Sequence, residues 1–277
     1  MSIYRVSLPA FAVLLAVQML PAQDKVAQDK VAVPLSSPSQ PATVKVHLMH
    51  GSITVTGGAT GQVIVESAAG ANARERRPAR DVPPGMHRID AGRSGLDVEE
   101  DHNVVNISAG VGGSGANLVI QVPANSSLSL KTLAGGNIEV TGVSGEIEVD
   151  NLNGPITLKN VSGSVVAHSL NGAVTASLDR VSNEKAMSFT SLNGKIDVTL
   201  PGDTKARLRL KTDNGSVYSD FDMKMEPDAG KPVVEDSRGQ GGKYRIKMDR
   251  NIYGSINGGG PEYRFETLNG NILIHKK

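Results

Sequence analysis

The chain has 277 residues, and its 29 lysines and arginines nearly balance 28 aspartates and glutamates, which gives a formal net charge of +1. Such a balance provides no overall field to attract nucleic acid or an anionic membrane, and 3% aromatic residues without Trp are few for a surface that stacks sugars or bases. The absence of cysteine excludes disulfides, thiolate metal sites, cysteine nucleophiles and an amino-terminal lipoprotein anchor.

The amino-terminal segment predicts export. Arg5 precedes the apolar run Leu8–Leu20, which is the arrangement of a secretory signal peptide, so we assign 1–22 to a signal peptide cleaved near Ala22. Leu20 is unusual three positions from a cleavage site, which leaves open a shifted site or retention of the segment as an anchor. An apolar run of about 13 residues is shorter than the roughly 20 that a membrane span needs, so we expect no stable span after cleavage.

Residues 23–43 predict a linker. The pentapeptide QDKVA occurs twice in succession, and three prolines follow it before the first alternating segment. Repeated polar residues together with proline favour a solvated, disordered segment.

Alternation of apolar and polar residues begins at Val44 and indicates short strands separated by glycine turns. Residues 71–101 interrupt this pattern with an arginine-rich cluster followed by an acidic one. A basic cluster that has no aromatic neighbours and is balanced by acids is typical of a solvated loop rather than a phosphate site. We therefore treat 71–101 as a loop insertion.

A nine-residue repeat runs through the centre of the chain. Three columns recur at this interval: Gly136, Gly145, Gly154, Gly163 and Gly172; Ile138, Ile147, Ile156, Val165 and Val174; and Val140, Val149, Leu158, Ala167 and Ala176. The second and third columns are two residues apart and lie on one side of a strand, so stacked strands would join them into a continuous core. The residues between them should face outward: Glu139, Glu148, Thr157, Val166 and Thr175.

The turns alternate, which doubles the repeat to 18 residues. Val-Ser-Gly turns alternate with Leu-Asn-Gly turns, so we predict rungs of two strands with Asn-Gly and Ser-Gly corners. Glycine and asparagine would supply positive φ at the corners, and Asn153 and Asn171 would be hydrogen-bonded along a ladder. A further column is expected to fill the core at the corners: Val143, Leu152, Val161 and Leu170.

The repeat continues less strictly towards the carboxyl end. Leu-Asn-Gly returns at Gly194 and Gly270, and Asp-Asn-Gly occurs at Gly215, while 221–242 is predicted to be a second loop insertion. We predict an all-β protein, with a single elongated, β-helix-like β-solenoid over 44–277 whose rungs have about 18 residues.

The repeat does not predict a metal site. Calcium-binding nonapeptide repeats need G-G-x-G-x-D loops, whereas here the third residue after each repeat glycine lies on a strand. His47 and His50 should point to opposite faces of one strand, and we expect His168 and His275 to be exposed to solvent. We predict no metal and no cofactor.

Catalytic groups are not brought together by the pattern either. Glu139 and Glu148 should lie on different faces of a rung, and the register predicts neither Asp150 nor Asp197 beside them. A serine nucleophile elbow needs a strand-to-helix turn, and the sequence predicts no helix. We therefore expect a protein that is not an enzyme and name no catalytic residue.

Three stretches carry a family resemblance: the export signal, LVIQVPANSSLSLKTLAGGNIEVTGVSGEIEVDNLNGPITLKNVSG and the closing GSINGGGPEYRFETLNGNILI. Together they resemble a bacterial family named "putative adhesins", which are secreted β-solenoid domains of unknown function, over most of residues 44–277. The resemblance implies an exported chain, periplasmic, on the outer surface or extracellular, that serves as a non-enzymatic binding or structural surface. Its partner would be a protein or glycan of the cell envelope, and no nucleic acid is expected.

Two other functions stay open. A protein that binds or cleaves polysaccharide would need a groove lined by carboxylates and aromatic rings, and its candidate rings late in the chain are Tyr218, Tyr244, Tyr253 and Tyr263. A self-assembling filament would stack on unpaired terminal strands. The charged tail His275–Lys277 disfavours a filament if it lies where stacking would continue.

Overall fold

Strands make up most of the chain that the structure describes. The computed structural model describes residues 28–69, 96–109, 115–226, 233–236, 244–247 and 251–277. These ranges contain strands and turns but no helix, so they hold no long apolar helix of the kind that crosses a bilayer. The all-β prediction is confirmed.

Twenty strands form one continuous hydrogen-bonded sheet that folds into two faces. In spatial order, face 1 contains β5 (Asp97–Asp101), β6 (Val104–Ala109), β2 (Thr43–His50), β8 (Ser127–Ala134), β10 (Ser144–Asn153), the second half of β11 (Ile156–Asn171), β13 (Met187–Asn193), β21 (Glu262–Asn269), β15 (Ala206–Asn214), β20 (Ile252–Ile256) and β17 (Lys224–Met225). Face 2 contains β1 (Gln28–Pro34), β4 (Gln62–Ala69), β7 (Ala116–Pro123), β3 (Ile53–Gly58), β9 (Ile138–Thr141), the first half of β11, β12 (Val174–Val181), β14 (Ile196–Leu200), β22 (Ile272–Lys276) and β16 (Val217–Ser219). A separate antiparallel hairpin consists of β18 (Val233–Asp236) and β19 (Tyr244–Lys247).

The hydrophobic core lies between the two faces. Residues along most of the central strands alternate between buried and outward positions, so Ile156 and Leu158 are buried while Thr157 between them is partly exposed. Every member of the two predicted apolar columns is at most 2% exposed, and all of them belong to one hydrophobic cluster. The predicted inward columns are therefore the core of the protein.

The central strands pair in parallel with an offset of 18 residues. Ser144 lies opposite Ser162 where β10 meets β11, and Asn171 is hydrogen-bonded to Asn153, 18 residues away. The next step along the stack spans 22 residues, from Asn171 to Asn193, because the segment DRVSNEKAM lengthens the intervening turn.

This register predicts an engineered disulfide. We expect Ser144→Cys with Ser162→Cys to oxidise readily to an intramolecular bond, because these positions are direct partners on adjacent parallel strands. Adjacent strands are about 4.8 Å apart, and a disulfide joins Cα atoms about 4.4–6.8 Å apart. Mass spectrometry after mild oxidation detects the bond, and circular dichroism monitors the β-structure.

The control for this disulfide is Ser144→Cys with Thr175→Cys, whose second position lies on face 2, and this pair should stay reduced. A meander of hairpins would instead hold Ser144 and Ser162 two strand spacings apart, at about 9.6 Å. If the test pair stays reduced in a folded protein, the offset of 18 residues is wrong.

At both ends of the stack, spatial order departs from chain order. The rung formed by β2 and β3 lies between β6–β7 and β8–β9, and the rung formed by β21 and β22 lies between β13–β14 and β15–β16. The chain therefore skips one rung position near each end and fills it with a segment distant in sequence. The tail His275–Lys277 belongs to this inserted rung. The expectation that its charges lie at an end where stacking would continue is therefore wrong.

Residues 28–43 are not the solvated linker that the sequence predicts. β1 pairs antiparallel with β4 along the edge of face 2, and Val33, Leu35 and Ala42 are at most 8% exposed. The spacing of Val33 and Leu35 gives this segment the period-2 pattern of a strand, which its prolines and repeated polar residues obscure. The predicted signal peptide at 1–22 and residues 23–27 lie outside the described residues, as do 71–95 of the predicted loop insertion at 71–101. The end of that insertion forms β5, and the predicted insertion at 221–242 contains β17 and β18, so neither is a loop throughout.

Glycine occupies the Asn-Gly corners because neighbouring backbones approach closely there. A Cβ atom on Gly172 would lie 2.1 Å from the carbonyl oxygen of Gly154, and one on Gly194 would lie 2.2 Å from that of Gly172. Neither Gly172 nor Gly194 has a positive φ, and neither do the corner residues Asn153 and Asn171. The prediction of positive φ is therefore wrong at these positions, where steric contact is the reason for glycine, but it is confirmed at Gly136, Gly154 and Gly163, whose φ values are 105°, 155° and 110°.

Candidate binding surface

An asparagine ladder runs along one corner of the stack. Each side-chain amide donates to the carbonyl oxygen of the next asparagine, at 2.8 Å from Asn171 to Asn153, 2.8 Å from Asn193 to Asn171, 2.6 Å from Asn269 to Asn193 and 2.8 Å from Asn214 to Asn269. The predicted bond between Asn153 and Asn171 is thus the first of four. The ladder links five successive strands and gives this corner a fixed, regular surface.

A second polar column, which was not predicted from the sequence, lies beneath the ladder. Ser169 donates to the carbonyl oxygen of Gly154 at 3.1 Å, and Ser191 donates to that of Gly172 at 2.9 Å. Thr267 repeats the contact with Gly194. The signal was present in the sequence, because a small polar residue stands two places before each corner asparagine. These buried hydroxyls satisfy corner carbonyls that strand pairing leaves open.

The side chains of the predicted corner column fall into two sets, one buried and one facing outward. Val143 and Val161 are fully buried, whereas Leu152 is 42% exposed. Through β10, inward positions fall on Val149 and Asn151, so Leu152 must face outward. The prediction that the corner leucines fill the core is therefore wrong.

These outward side chains form an apolar ridge. By strand register, its members in spatial order are Met49, Leu133, Leu152, Leu170, Leu192 and Leu268. Met49 is 51% exposed at one end and Leu268 is 37% exposed at the other, and Asp213 follows Leu268 on β15. Six aligned apolar residues on adjacent strands give face 1 a continuous hydrophobic line about 24 Å long.

A groove of about 510 Å³ borders the ridge on face 1. Its polar lining comes from four adjacent strands, and its apolar rim is the half of the ridge around Leu192. His168 Nδ1 lies 2.7 Å from the Thr190 hydroxyl. Lys211 donates to Glu266 at 3.1 Å, and Arg264 Nε donates to the other Glu266 oxygen at 2.9 Å.

The charges in the groove compensate one another. Partial burial alone would raise the pKa of Glu266, but hydrogen bonds from Arg264 and Lys211 outweigh burial and hold that pKa below its ordinary value. The carboxylate is therefore ionised at neutral pH and bound to two cations. The lining offers a ligand a fixed pattern of hydrogen-bonding groups with little unbalanced charge.

A second cluster of charged side chains lies on face 1, on the adjacent strands β8 and β10. Lys131 Nζ is 3.2 Å from Asp150 and 3.6 Å from Glu148. The hydrogen bond to Asp150, with the negative charges of Asp150 and Glu148, raises the pKa of Lys131 above its ordinary value. Asp150 thus lies beside Glu148 on the outer side of β10, which corrects the prediction that the register separates them.

The other carboxylates and the histidines are spread over both faces. Glu139 lies on face 2, whereas Glu148 lies on face 1. Asp197 is also on face 2, three strands away from Glu139. His47 and His168 are exposed on face 1, while His275 on face 2 lies 3.0 Å from Asp220 and 3.5 Å from Asp197. In the part of the chain that the structure describes, histidine, aspartate and glutamate form no cluster arranged to hold a metal ion.

The tyrosines do not form a stacking platform. Tyr218 is 56% exposed on face 2, whereas Tyr263 is fully buried, and burial raises the pKa of Tyr263 to about 12. Tyr253 lies on face 1 under the guanidinium groups of Arg207 and Arg209, each 5.9 Å from the ring centre. Tyr244 belongs to the separate hairpin. The rings that a polysaccharide groove would need are therefore dispersed.

Similar proteins are found by a family profile and among solved structures. The profile described as Toastrack DUF4097 matches residues 105–250, which is more than half of the chain. No curated protein matches the sequence. A "putative cell adhesion protein" from Clostridium sporogenes is 14% identical with a TM-score of 0.44, and the match covers 91% of this chain and 99% of that one. A "putative adhesin" from Bacteroides fragilis is 10% identical with a TM-score of 0.30, and the match covers 91% of this chain and 97% of that one.

Proposed function

Since this chain belongs to the Toastrack DUF4097 family, we propose that it is an exported β-solenoid that is not an enzyme and that binds a protein or glycan of the bacterial cell envelope through face 1. The observation that carries the proposal is the apolar ridge beside the groove. A contiguous line of exposed apolar side chains with a polar border is typical of an interaction surface.

Electrostatics of face 1 supports binding rather than catalysis. A general acid or base works best with a pKa near the operating pH. All the shifts resolved on this face move away from neutrality; in particular, the pKa of Glu266 is lowered and that of Lys131 is raised. Both groups are held in ion pairs, which suits a fixed surface.

The repeat determines the shape of the proposed surface. We take the rung of about 18 residues, with two strands and alternating Asn-Gly and Ser-Gly corners, as the unit that presents equivalent positions at intervals of about 4.8 Å. The parallel register of β10 with β11 supports this unit. A ligand of face 1 would thus meet a straight array of similar side chains.

The export proposal depends on the amino-terminal segment and the binding proposal depends on face 1, so each has its own experiment. We expect fractionation of cells that carry the chain to find it outside the cytoplasm, with an intact mass that begins near Gln23. We also expect the purified chain, once immobilised, to bind envelopes from the same cells. Thr190→Arg would place a long side chain in the groove and should weaken this binding about tenfold.

Thr175→Arg is the matched control, because Thr175 is an outward threonine on face 2. It should bind envelopes as the parent chain does. An unprocessed chain in the cytosol contradicts the export part of the proposal, and equal binding by the two variants contradicts the assignment to face 1. Release of unsaturated or reducing ends from envelope polysaccharides would instead support the alternative, a protein that binds or cleaves polysaccharide.

A further inference from the structure

The apolar ridge has a geometry that fits a copy of itself. Its six members are spaced evenly by strand register and differ little in size. This inference rests on the proposed role of face 1 as a binding surface. We propose that the partner of face 1 is a second copy of this chain, which docks with its solenoid antiparallel and its ridge against this one.

A two-fold axis parallel to the strands, passing between Leu152 and Leu170, generates this arrangement. It places Leu152 against the partner's Leu170, and each further ridge residue against the equivalent apolar position of the partner. An interface of this kind is isologous, since the same patch serves on both chains. Because the ridge residues are evenly spaced, the ridge is self-complementary in this way without any change in the backbone.

Complementary hydrogen-bonding groups favour the antiparallel orientation, because an imidazole N–H can donate to a carboxylate. A row of polar side chains, called the charged row because it includes Lys131, Asp150, Glu266 and Lys211, lies next to the ridge on the outer side of face 1: His47, Lys131, Asp150, His168, Thr190, Glu266 and Lys211. The axis places Asp150 against the partner's His168 and His47 against the partner's Glu266. Lys131 then faces the partner's Thr190, so no two like charges meet in this row.

A parallel orientation offers less. With the axis along the solenoid, the charged row would face the partner's asparagine ladder. Asp150 would then lie near the partner's Asn153 and gain no histidine partner, and the side-chain oxygen of Asn153 already accepts from Asn171 within its own chain. The antiparallel orientation is therefore the one that the side chains support.

The size of the patch indicates a weak contact. The ridge and the row beside it span about 29 Å by 7 Å between Cα atoms over seven strands, which is well below the roughly 800 Å² per partner of a standard stable interface. A single pair of chains should therefore associate only at high concentration. Many copies on one surface would bind another such surface far more tightly through multivalency.

Sedimentation of the full chain over a wide concentration range tests the dimer. We expect a reversible monomer–dimer equilibrium that Leu152→Glu with Leu170→Glu weakens at least about tenfold, because like charges would then meet at the axis. Val119→Glu is the control, since Val119 is 41% exposed on face 2, and it should dimerise as the parent does. A parent chain that stays monomeric, or a ridge variant that dimerises equally, overturns the proposal.

A charge exchange tests the orientation. His168→Asp alone would place aspartate against the partner's Asp150 and should weaken the dimer, and Asp150→Lys alone should not strengthen it. Mixing the two variants would pair the new aspartate with the new lysine and should restore association between unlike chains. Failure of the mixture to associate better than either variant alone overturns the antiparallel orientation.

Envelopes from cells that lack the chain separate this inference from the proposed function. If immobilised protein binds envelopes only from cells that carry the chain, the second copy is the partner. If it binds both kinds of envelope equally and stays monomeric in solution, face 1 still binds the envelope but its partner is another molecule.

Discussion

Replacing Ile156 with aspartate should unfold the protein or reduce its free energy of unfolding by several kcal/mol. Ile156 is fully buried and lies between Ile138 and Val174 on the adjacent parallel strands. A carboxylate there would have no hydrogen-bond partner and no cation within the core. Domains are typically stable by about 5 to 15 kcal/mol, so this one change removes a large fraction of the margin.

Thr157→Asp is the matched control for Ile156→Asp. Thr157 is the next residue on the same strand and points outward, between Glu139 and Thr175. The neighbouring Glu139 adds a small repulsion, and we expect a loss of no more than about 0.5 kcal/mol for an exposed charge. Thermal unfolding followed by circular dichroism measures both variants, and equal melting temperatures would mean that the inward and outward faces are assigned wrongly.

Gly172→Ala should also destabilise the protein strongly, through a contact with backbone. A methyl group at Gly172 would lie 2.1 Å from the carbonyl oxygen of Gly154 and 2.4 Å from its carbonyl carbon. Neither atom can move without displacing the next rung, because Gly154 itself is packed closely against Gly136. A Cβ built on Gly154 would lie 2.0 Å from the carbonyl oxygen of Gly136. We expect a loss of about 3 kcal/mol or more, at the upper end of overpacking effects.

Gly58→Ala provides the comparison for Gly172→Ala. No atom lies within 4 Å of a Cβ built on Gly58, and its φ is ordinary. Alanine there should leave the midpoint of urea unfolding unchanged or raise it slightly, because it restricts the unfolded chain. If both glycine variants unfold at the same urea concentration, close approach of the backbones does not explain the corner glycines.

The centre of the fold could be predicted from the sequence because its contacts recur at a fixed interval. Ile156 and Val174 are 18 residues apart and occupy equivalent positions in adjacent strands, so spacing alone locates both. The same argument locates the bond between Asn153 and Asn171. The family could be recognised from these repeats as well, since residues 105–250, which match its profile, include them.

The ends of the fold could not be predicted this way, because their contacts join distant segments. Asn269 bonds Asn193 across 76 residues of sequence and accepts from Asn214 across 55. Spacing cannot tell whether a Leu-Asn-Gly segment extends the stack or is inserted into it. The groove on face 1 depends on that insertion, since Arg264 and Glu266 come from β21 and Lys211 from β15.

The ridge could not be predicted from residue spacing, because a local irregularity in β11 changes which side chains face inward. Spacing puts Leu152 and Val161 in one column, but a register irregularity between Leu158 and Val161 changes which side chains face inward. Asn160, with a φ of 51°, marks the same irregularity. Val161 therefore enters the core, while the regular strand β10 carries Leu152 outward. A one-residue irregularity of this kind leaves no periodic signal in the sequence.

The insertion of β21 and β22 has a mechanical consequence. A strand at the edge of a sheet can be peeled away by breaking one ladder of hydrogen bonds at a time. β22 is paired with β14 on one side and with β16 on the other. Tension applied through Lys277 must therefore break both ladders together, and forced unfolding is governed by that barrier rather than by equilibrium stability. Tension applied through β1, which is paired on one side only, meets far less resistance, so the two ends of the described fold should withstand very different loads.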